Sequence, residues 1–549
     1  MNPTRTDRGI PVSNTKKQSF LHGAALLALA TAIVKVIGAL YKIPLNAIIG
    51  TRGFAYFNTA YDIYAVLLMI STAGLPLAMS RMISAASSLN NTRQMKRIYR
   101  TAQGIFIALG SAGALLMTLF SHQLAAFQQQ PNAWAAIACL GPSALLVCMI
   151  SAFRGFFQGQ GNMIPTSVSQ VIEAVIKLTV GLGAAFVLLK LTRSIPLAAG
   201  GAILGVTVGC LVAVGYLFVL FQRAYRNLEQ GDPSQSVGSY RSIARELLCI
   251  AIPITIGSAG LQILTMMEVK VYMTQLLATG FTQDMADSMK GIYNMTQTIY
   301  NLPCAFITPL TVSAIPAITS ALTLKQFDHV RRTEESASRI TGLICMPCAV
   351  GLLVLAEPIM ALLGGYQGEE LALASTLMRV LSVCVVFSST VMLTNTIMQA
   401  HGHVNLPVVN MFVGGVLKLT MVYFLSGNPR IHIIGAPIAW VCCFVCITAL
   451  NLFAMAKAIP HPPRMVRNMC KPFVGALVMG AVVYAVYYGL SQLLPLTTIL
   501  GKLVCSAVPI AIGAAVYAVC VVKLKAITRE DCMLLPKGER IAKFLHLDS

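Results

Sequence analysis

The chain has few charged residues for its length. It contains 549 residues, of which 11% are Asp, Glu, Lys or Arg and 56% are apolar. Soluble globular domains carry about 25% charged residues, so this composition excludes an ordinary soluble protein. One helical membrane crossing needs about 20 apolar residues. The length therefore leaves room for roughly a dozen or more crossings.

Acidic residues are scarcer still, since 19 of them face 40 basic residues, giving a net charge of +21. In a membrane protein this excess is expected in cytoplasmic loops, so we expect no nucleic-acid partner. The 15 cysteines lie mostly in apolar runs and give no disulfide framework. The sequence lacks a phosphate-binding G-x-x-x-x-G-K-[ST] loop and a large outer loop for catalytic groups, so we expect a transporter and not an enzyme.

Apolar runs recur along the whole chain and predict an all-α polytopic membrane protein with about fourteen transmembrane helices. We number these runs as predicted crossings 1 to 14. They span 21–49, 60–86, 98–120, 132–153, 165–189, 197–222, 247–278, 291–321, 339–364, 373–399, 406–426, 434–456, 471–494 and 499–522.

The distribution of basic residues predicts the orientation of these crossings. With the N-terminus in the cytoplasm, the inner loops and both tails hold most of the Lys and Arg residues. The outer loops then hold few, namely Arg52, Lys190, Arg193, Lys290, Arg430 and Lys502. This bias favours fourteen crossings with both termini on the cytoplasmic side.

An internal repeat predicts two lobes. Residues 158–179 match residues 399–420 at an offset of 241, and Lys177-Leu178-Thr179 matches Lys418-Leu419-Thr420. A weaker match at an offset of 239 pairs Tyr61 with Tyr300. Six crossings separate the matches, which preserves orientation and predicts parallel repeats.

The repeat sets the predicted domain boundaries. These are a cytoplasmic tail at 1–20, a first lobe at 21–222, a cytoplasmic linker at 223–246, a second lobe at 247–456, two further helices within 471–522, and a cytoplasmic tail at 523–549.

Several charged residues lie within the apolar runs, where each costs about 2.5–3.5 kcal/mol at a helix centre. In the first lobe Lys35, Lys42, Arg81 and Lys177 outnumber Asp62 and Glu173. A cavity lined by these groups would be net positive and would attract anions such as phosphate. Glu173 and Lys177 alternatively form a structural i,i+4 pair. The other intramembrane charges are Glu268, Lys270, Glu357, Arg379 and Lys418.

Four segments resemble a known family: IGALYKIPL and ISTAGLPLAMSR near the start, FFQGQGNMIPTSVSQVIE, and LKAITREDCMLLPKGERIAKFL in the tail. They resemble stage V sporulation protein B-type flippases. These belong to the polysaccharide and lipid-linked oligosaccharide branch of the MOP exporter superfamily, which also contains the MATE exporters and the MurJ-type lipid II flippases.

The resemblance implies two six-helix lobes around a V-shaped central cavity, with two C-terminal helices that form a groove for a lipid tail. It implies alternating-access movement of an undecaprenyl-pyrophosphate-linked cell-wall precursor, lipid II first, across the bacterial cytoplasmic membrane. By position, Lys35, Lys42 and Arg81 match the pyrophosphate-binding basic residues of MurJ-type relatives. Further candidates for cavity charge or ion coupling are Asp62, Glu173, Lys177, Glu268, Lys270 and Lys418.

The resemblance leaves two alternatives open: a flippase for another lipid-linked polysaccharide unit, and a MATE-like, cation-coupled antiporter of organic cations. It implies no cofactor, with movement driven by the membrane potential or by a monovalent ion. The expected partners are a lipid-linked oligosaccharide, membrane lipids and cell-wall synthesis enzymes. Whether the chain serves growth or sporulation stays open.

Overall fold

A computed structural model describes residues 20–226, 228, 236–459, 462–494 and 498–527. The described residues are almost entirely helical and include no β-strand. This confirms the predicted all-α class. Residues 1–19 and 528–549 of the predicted tails, and residues 227 and 229–235 of the predicted linker, lie outside the described residues.

Sixteen α-helices follow one another along these residues. They are α1 (Phe20–Met69), α2 (Leu75–Ser88), α3 (Thr92–Leu119), α4 (Ser121–Phe127), α5 (Trp134–Gly159), α6 (Ile164–Thr192), α7 (Ile195–Arg226), α8 (Tyr240–Ala278), α9 (Gln283–Thr323), α10 (Phe327–Val354), α11 (Ala356–Ile359), α12 (Gly368–Ala400), α13 (Asn405–Ser426), α14 (Gly435–Ala458), α15 (Met465–Leu493) and α16 (Ile499–Lys523).

The first helix differs from its prediction. Crossings 1 and 2 were expected to be separated by a loop at 50–59, but helical structure continues through these residues. The backbone breaks only at Gly50, where φ is +71° and ψ is 176°. A residue with a side chain rarely adopts this φ, so glycine lets the chain turn back without a loop. The second half of α1 therefore starts its return directly after Gly50.

Twelve segments of the described chain are long and apolar enough to cross a membrane. The first, Leu29–Ser88, covers 60 residues and contains the break at Gly50, so it includes predicted crossing 2 and most of predicted crossing 1. Helix α9, which contains predicted crossing 8, is not among the twelve. The chain is thus a multi-pass membrane protein, and the count of fourteen stays a prediction.

The repeat at an offset of 241 coincides with repeated local geometry. Gly161 and Gly402 are matched positions, and their φ angles are +77° and +85°. The helix before each glycine ends at matched residues, Gly159 and Ala400, and the helix after each begins at Ile164 and Asn405. The two segments therefore have the same turn between the same pair of helices, although the division into two lobes itself stays a prediction.

The predicted lobes meet along α1, α2, α8 and α9. One contact is very close, because a Cβ atom on Gly291 of α9 would lie 1.9 Å from the carbonyl oxygen of Thr51. Only glycine permits this approach of two backbones. We call this end of the molecule, where Gly50 and the start of α9 lie, the Gly50 end. The predicted orientation places it on the outer face of the membrane.

Candidate functional site

The turn at Gly50 brings the two halves of α1 side by side and sets Lys42 against the returning segment. Lys42 Nζ donates to Asn58 Oδ1 over 3.2 Å. Asn58 and Asp62 are four residues apart, so they share one helix face and Asp62 lies one turn further on. Lys42 also interacts electrostatically with Asp62. Neither side chain is fully enclosed, since both are partly exposed.

Lys177 of α6 lies near enough to Lys42 for the two positive charges to repel each other. The two residues form a pair of ammonium groups. Lys177 Nζ lies 4.7 Å from the ring centre of Tyr61 and 5.2 Å from that of Tyr41. An aromatic face stabilises a cation by about 0.5–2 kcal/mol without neutralising its charge. Among the described residues, neither Lys42 nor Lys177 forms a salt bridge with a carboxylate. Two positive charges therefore remain inside the first predicted lobe.

The other two residues that the resemblance assigned to pyrophosphate are more exposed than this pair. Lys35 is exposed on the first half of α1, where it interacts with Cys304 of α9. Arg81 is exposed on α2. The structure thus brings Lys42 close to Lys177, while Lys35 lies two helical turns before Lys42 on α1.

Glu173 has a different partner from the one that sequence spacing offered. Its Oε2 atom accepts from Arg154 Nη2 over 3.4 Å, and Arg154 Nε donates to Ser169 Oγ over 3.0 Å. Arg154 was counted with an inner loop, but α5 extends to Gly159 and carries it among the helices. The predicted i,i+4 salt bridge between Glu173 and Lys177 is therefore wrong, because Glu173 pairs with Arg154 and acts on Lys177 only from beyond salt-bridge distance.

The densest polar contact joins the two predicted lobes at the Gly50 end. Lys290 of α9 has a completely buried side chain, and its Nζ donates to Thr59 Oγ1 over 2.6 Å, Gln130 Oε1 over 3.1 Å and Asp62 Oδ2 over 3.4 Å. An ammonium group has three donors, so first-lobe residues satisfy all of them. The prediction that Lys290 lies in an outer loop is wrong.

Asp287 lies one helical turn before Lys290 and is equally enclosed. Its carboxylate accepts from Gln130 Nε2 over 2.8 Å, Gln283 Nε2 over 2.9 Å and the Tyr56 hydroxyl over 3.0 Å. Gln130 therefore contacts both Asp287 and Lys290. We call Asp62, Thr59, Gln130, Asp287 and Lys290 the interlobe cluster.

The second predicted lobe contains a closed ion pair. Glu268 of α8 and Lys418 of α13 are both buried, and their charged atoms lie 2.7 Å apart. Trp440 of α14 donates from Nε1 to the other oxygen of Glu268 over 2.5 Å. These contacts neutralise Glu268 and Lys418 within the lobe. Lys270, two residues on, instead lies 3.7 Å from the ring centre of Phe127 in the first lobe.

An apolar groove lies between α9 and α10 on one side and α15 and α16 on the other. Its volume is about 690 Å³, and its lining is almost wholly apolar. Residues from each helix line it, among them Phe306, Pro347, Met479, Val483, Pro509 and Tyr517. The two C-terminal helices thus form a groove with the second lobe.

Sequence reasoning missed Arg154, Asp287 and Lys290 for one reason. Each lies beyond the end of an apolar run, where hydropathy places a loop, although the helix continues. A signal for Lys290 was present, because Asp287 precedes it by three residues and predicts a shared helix face.

Family comparison agrees with this architecture. The polysaccharide biosynthesis protein family model matches residues 20–322, more than half of the chain, and the MatE model matches residues 264–424. Among curated proteins of Bacillus subtilis (strain 168), the uncharacterized membrane protein YabM is 26% identical over 96% of this chain and 97% of its own length. Stage V sporulation protein B is 24% identical over 95% and 98%. Lipid II flippase MurJ is 22% identical over 73% and 76%.

Two solved structures share the fold. Lipid II flippase MurJ in an inward closed conformation superposes with a TM-score of 0.66 at 14% identity, covering 90% of this chain and 97% of that one. An inward-facing multidrug resistance MATE family transporter gives 0.65 at 13% identity, covering 79% and 100%. With its helical architecture and the match across more than half of its length, the chain belongs to the polysaccharide biosynthesis protein family.

Proposed function

We propose that this protein is a flippase for an undecaprenyl-pyrophosphate-linked cell-wall precursor, with lipid II as the first candidate. It would carry the precursor from the inner to the outer leaflet of the bacterial cytoplasmic membrane. The relatives named stage V sporulation protein B and lipid II flippase MurJ support this class of substrate.

One observation carries the proposal. Lys42 and Lys177 place two ammonium groups inside the first lobe, and neither forms a salt bridge within the part of the chain that the structure describes. A charge in a membrane helix costs about 2.5–3.5 kcal/mol, so an unneutralised pair indicates an anionic ligand that offsets this cost. A pyrophosphate carries several negative oxygens and can accept from both lysines at once.

The apolar groove supports a lipid-linked ligand. The groove offers an apolar lining along α15 and α16, against which a polyprenyl tail can pack as it does among lipid tails. The proposal therefore assigns the headgroup to the two lysines and the tail to the groove.

Export of organic cations is less compatible with the same charges. Asp62, Glu173 and Glu268 each lie within 3.4 Å of a basic group of the protein. A cationic substrate would have to displace one of these partners. An anionic substrate finds its counter-charges already in place.

We propose that the membrane potential contributes to the driving force. Moving one charge through a potential of 100 mV supplies about 2.3 kcal/mol. Lys42 and Lys177 are the charges available to respond to the potential in the first lobe. A monovalent ion as an additional driver stays a prediction.

The test is lipid II translocation in a bacterium depleted of its own flippases and expressing this chain. We expect the unmodified protein to restore translocation, and Lys42→Met and Lys177→Met each to lower it at least about tenfold, which corresponds to about 1.4 kcal/mol. Lys190→Met is the matched control, because Lys190 is exposed at the end of the same helix as Lys177.

The outcomes separate the substrate from the site. Normal membrane abundance without restoration would exclude lipid II, and the same assay with other undecaprenyl-pyrophosphate-linked sugars would then identify the headgroup. Restoration that survives both lysine substitutions would refute the proposed anion site. Equal loss in Lys190→Met would indicate a general effect of removing positive charge.

A further inference from the structure

The interlobe cluster and the lysine pair share one residue, Asp62. Its Oδ2 atom lies 3.4 Å from Lys290 Nζ across the lobe contact. Lys42 contacts Asn58, which is one helical turn from Asp62 on the same face. One carboxylate therefore lies 3.4 Å from the ammonium group that joins the lobes and one helical turn from the residue that the ammonium group of the anion site contacts.

Lys290 keeps its present partners only while the two predicted lobes are in contact at the Gly50 end, an arrangement that we call closed. All three hydrogen bonds of its ammonium group go to first-lobe residues, namely Thr59, Asp62 and Gln130. Separation of the lobes at this end removes all three together. Asp287 travels with Lys290 on α9 and stays beside it, whereas Asp62 loses its partner.

Asp62 can then pair with a cation of its own lobe, and among the described residues Lys42 is the one whose contact with Asn58 lies one helical turn away. The two residues already interact electrostatically in the closed arrangement. A carboxylate that has lost its partner in a low-dielectric interior strongly favours another cation. Pairing of Asp62 with Lys42 would occupy the positive charge that a bound anion uses.

We propose that Asp62 is the release residue of the transport cycle. Lys290 holds Asp62 while the Gly50 end is closed, which leaves Lys42 free for the pyrophosphate. When the Gly50 end opens, Asp62 turns to Lys42 and displaces the anion on that side. This proposal rests on the proposed function, and it makes Asp62 a positioning residue for release.

By thermodynamic linkage, binding of the anion also affects whether the Gly50 end is closed. A state that binds the anion more tightly is stabilised by the anion to the same extent. Pyrophosphate bound at Lys42 should therefore strengthen the closed arrangement of the Gly50 end. Affinity is then high while the cavity faces the predicted cytoplasmic side and low after the outer side opens, and the net direction comes from the driving force and not from this difference in affinity.

The test fixes the Gly50 end by a disulfide. Thr51 Oγ1 and Ser288 Oγ lie 2.8 Å apart across the lobe contact, so Thr51→Cys with Ser288→Cys can join the lobes there. The probe is undecaprenyl pyrophosphate, and its Kd is measured for the full chain in nanodiscs, oxidised and reduced. Mass spectrometry of the 51–288 cross-linked peptide distinguishes this bond from reactions of the native cysteines.

We expect the oxidised form to bind the probe at least about fivefold more tightly than the reduced form. Asp62→Asn should bring this ratio to about one, with tight binding in both forms, because no carboxylate competes for Lys42. Lys290→Met should also give a ratio of about one, but with weak binding in both forms, because Asp62 is always available to Lys42. Arg52→Gln is the control, since the exposed Arg52–Asp284 pair crosses the same contact.

The oxidised-to-reduced ratio needs no substitution of a charged residue, so it tests the proposal even where Asp62→Asn or Lys290→Met folds poorly. A ratio near one would overturn the release switch and leave the proposed function intact. A high ratio that persists in Asp62→Asn would also overturn it. Absence of probe binding in both forms would overturn the proposed function and the switch with it.

Discussion

Two lysines at matched positions of the predicted lobes differ in whether a carboxylate of the protein pairs with them. Lys177 and Lys418 occupy equivalent positions in the repeat, on α6 and α13. Lys418 is buried and lies 2.7 Å from Glu268. Lys177 lies over the rings of Tyr41 and Tyr61 and forms no salt bridge with a carboxylate among the described residues. The second lobe thus neutralises its lysine internally, whereas the first lobe leaves its lysine available to a ligand.

The sequence explains this difference at single positions. The two repeat offsets relate Glu268 to Leu27 or Leu29, and neither of these can pair with a cation. The offset of 241 relates Trp440 to Ala199. The first lobe therefore lacks both the carboxylate and the indole N–H that enclose Lys418 in the second.

At a second pair of matched positions the charged residues lie in the first lobe and the neutral residues in the second. Arg154 and Ser169 of the first lobe correspond to Asn395 and Asn410 of the second. Arg154 bonds Ser169 and Glu173, whereas Asn395 and Asn410 each bond Asn451 over 2.8 Å. The first lobe uses ions where the second uses neutral amides. One backbone plan thus supports a charged ligand-binding lobe and a lobe whose charges serve its own structure.

The largest expected effect separates stability from activity at the matched lysines. Lys418→Met leaves Glu268 buried without a cation, which costs about 3–5 kcal/mol of folding free energy. Lys177→Met removes a cation that no carboxylate neutralises, so stability should be unchanged or higher while translocation is lost. Unfolding in detergent and the translocation assay, applied to both variants, measure the two properties.

The double variant Lys418→Met with Glu268→Gln provides the control for this prediction. Removing both charges should recover most of the lost stability, because no buried charge remains unpaired. Similar instability in Lys177→Met and Lys418→Met would contradict the conclusion that only the second lobe neutralises its lysine internally.

An intermediate effect is expected where the lobes differ in ions and amides. Asn451→Leu deprives Thr394, Asn395 and Asn410 of a buried partner and should lower unfolding free energy by about 1–3 kcal/mol. Arg154→Gln should cost less, because the Glu173 side chain is 29% exposed and reaches water. Parallel thermal unfolding of the two variants checks the order, and the opposite ranking would show that the first-lobe ion pair is a structural element.

The sequence predicted much of this fold because apolar runs, repeat matches and basic loops are strong signals in a membrane chain. It also named Lys42, Asp62 and Lys177 among the candidate charges of the first lobe, and their role in transport stays a prediction. It could not predict which charges pair, since Glu173 meets Arg154 and Glu268 meets Lys418 only through helix packing. An apolar run also marks only the part of a helix that lies within the membrane. Helix α9 begins earlier, at Gln283, and its first turns place Asp287 and Lys290 in the lobe contact.

The smallest expected effect lies at the lobe contact, where two carboxylates three residues apart differ in exposure. Asp284 is 66% exposed and pairs with Arg52 over 2.7 Å, and such surface pairs contribute about 0–1 kcal/mol. Asp284→Asn should therefore change neither unfolding free energy nor translocation measurably. Asp287→Asn should cost about 1–3 kcal/mol, because its new amide would face the Gln130 and Gln283 donors inside the contact. Equal effects in both variants would mean that water reaches the whole lobe contact. Burial of the charges at the Gly50 end could then no longer explain a difference between the two lobes.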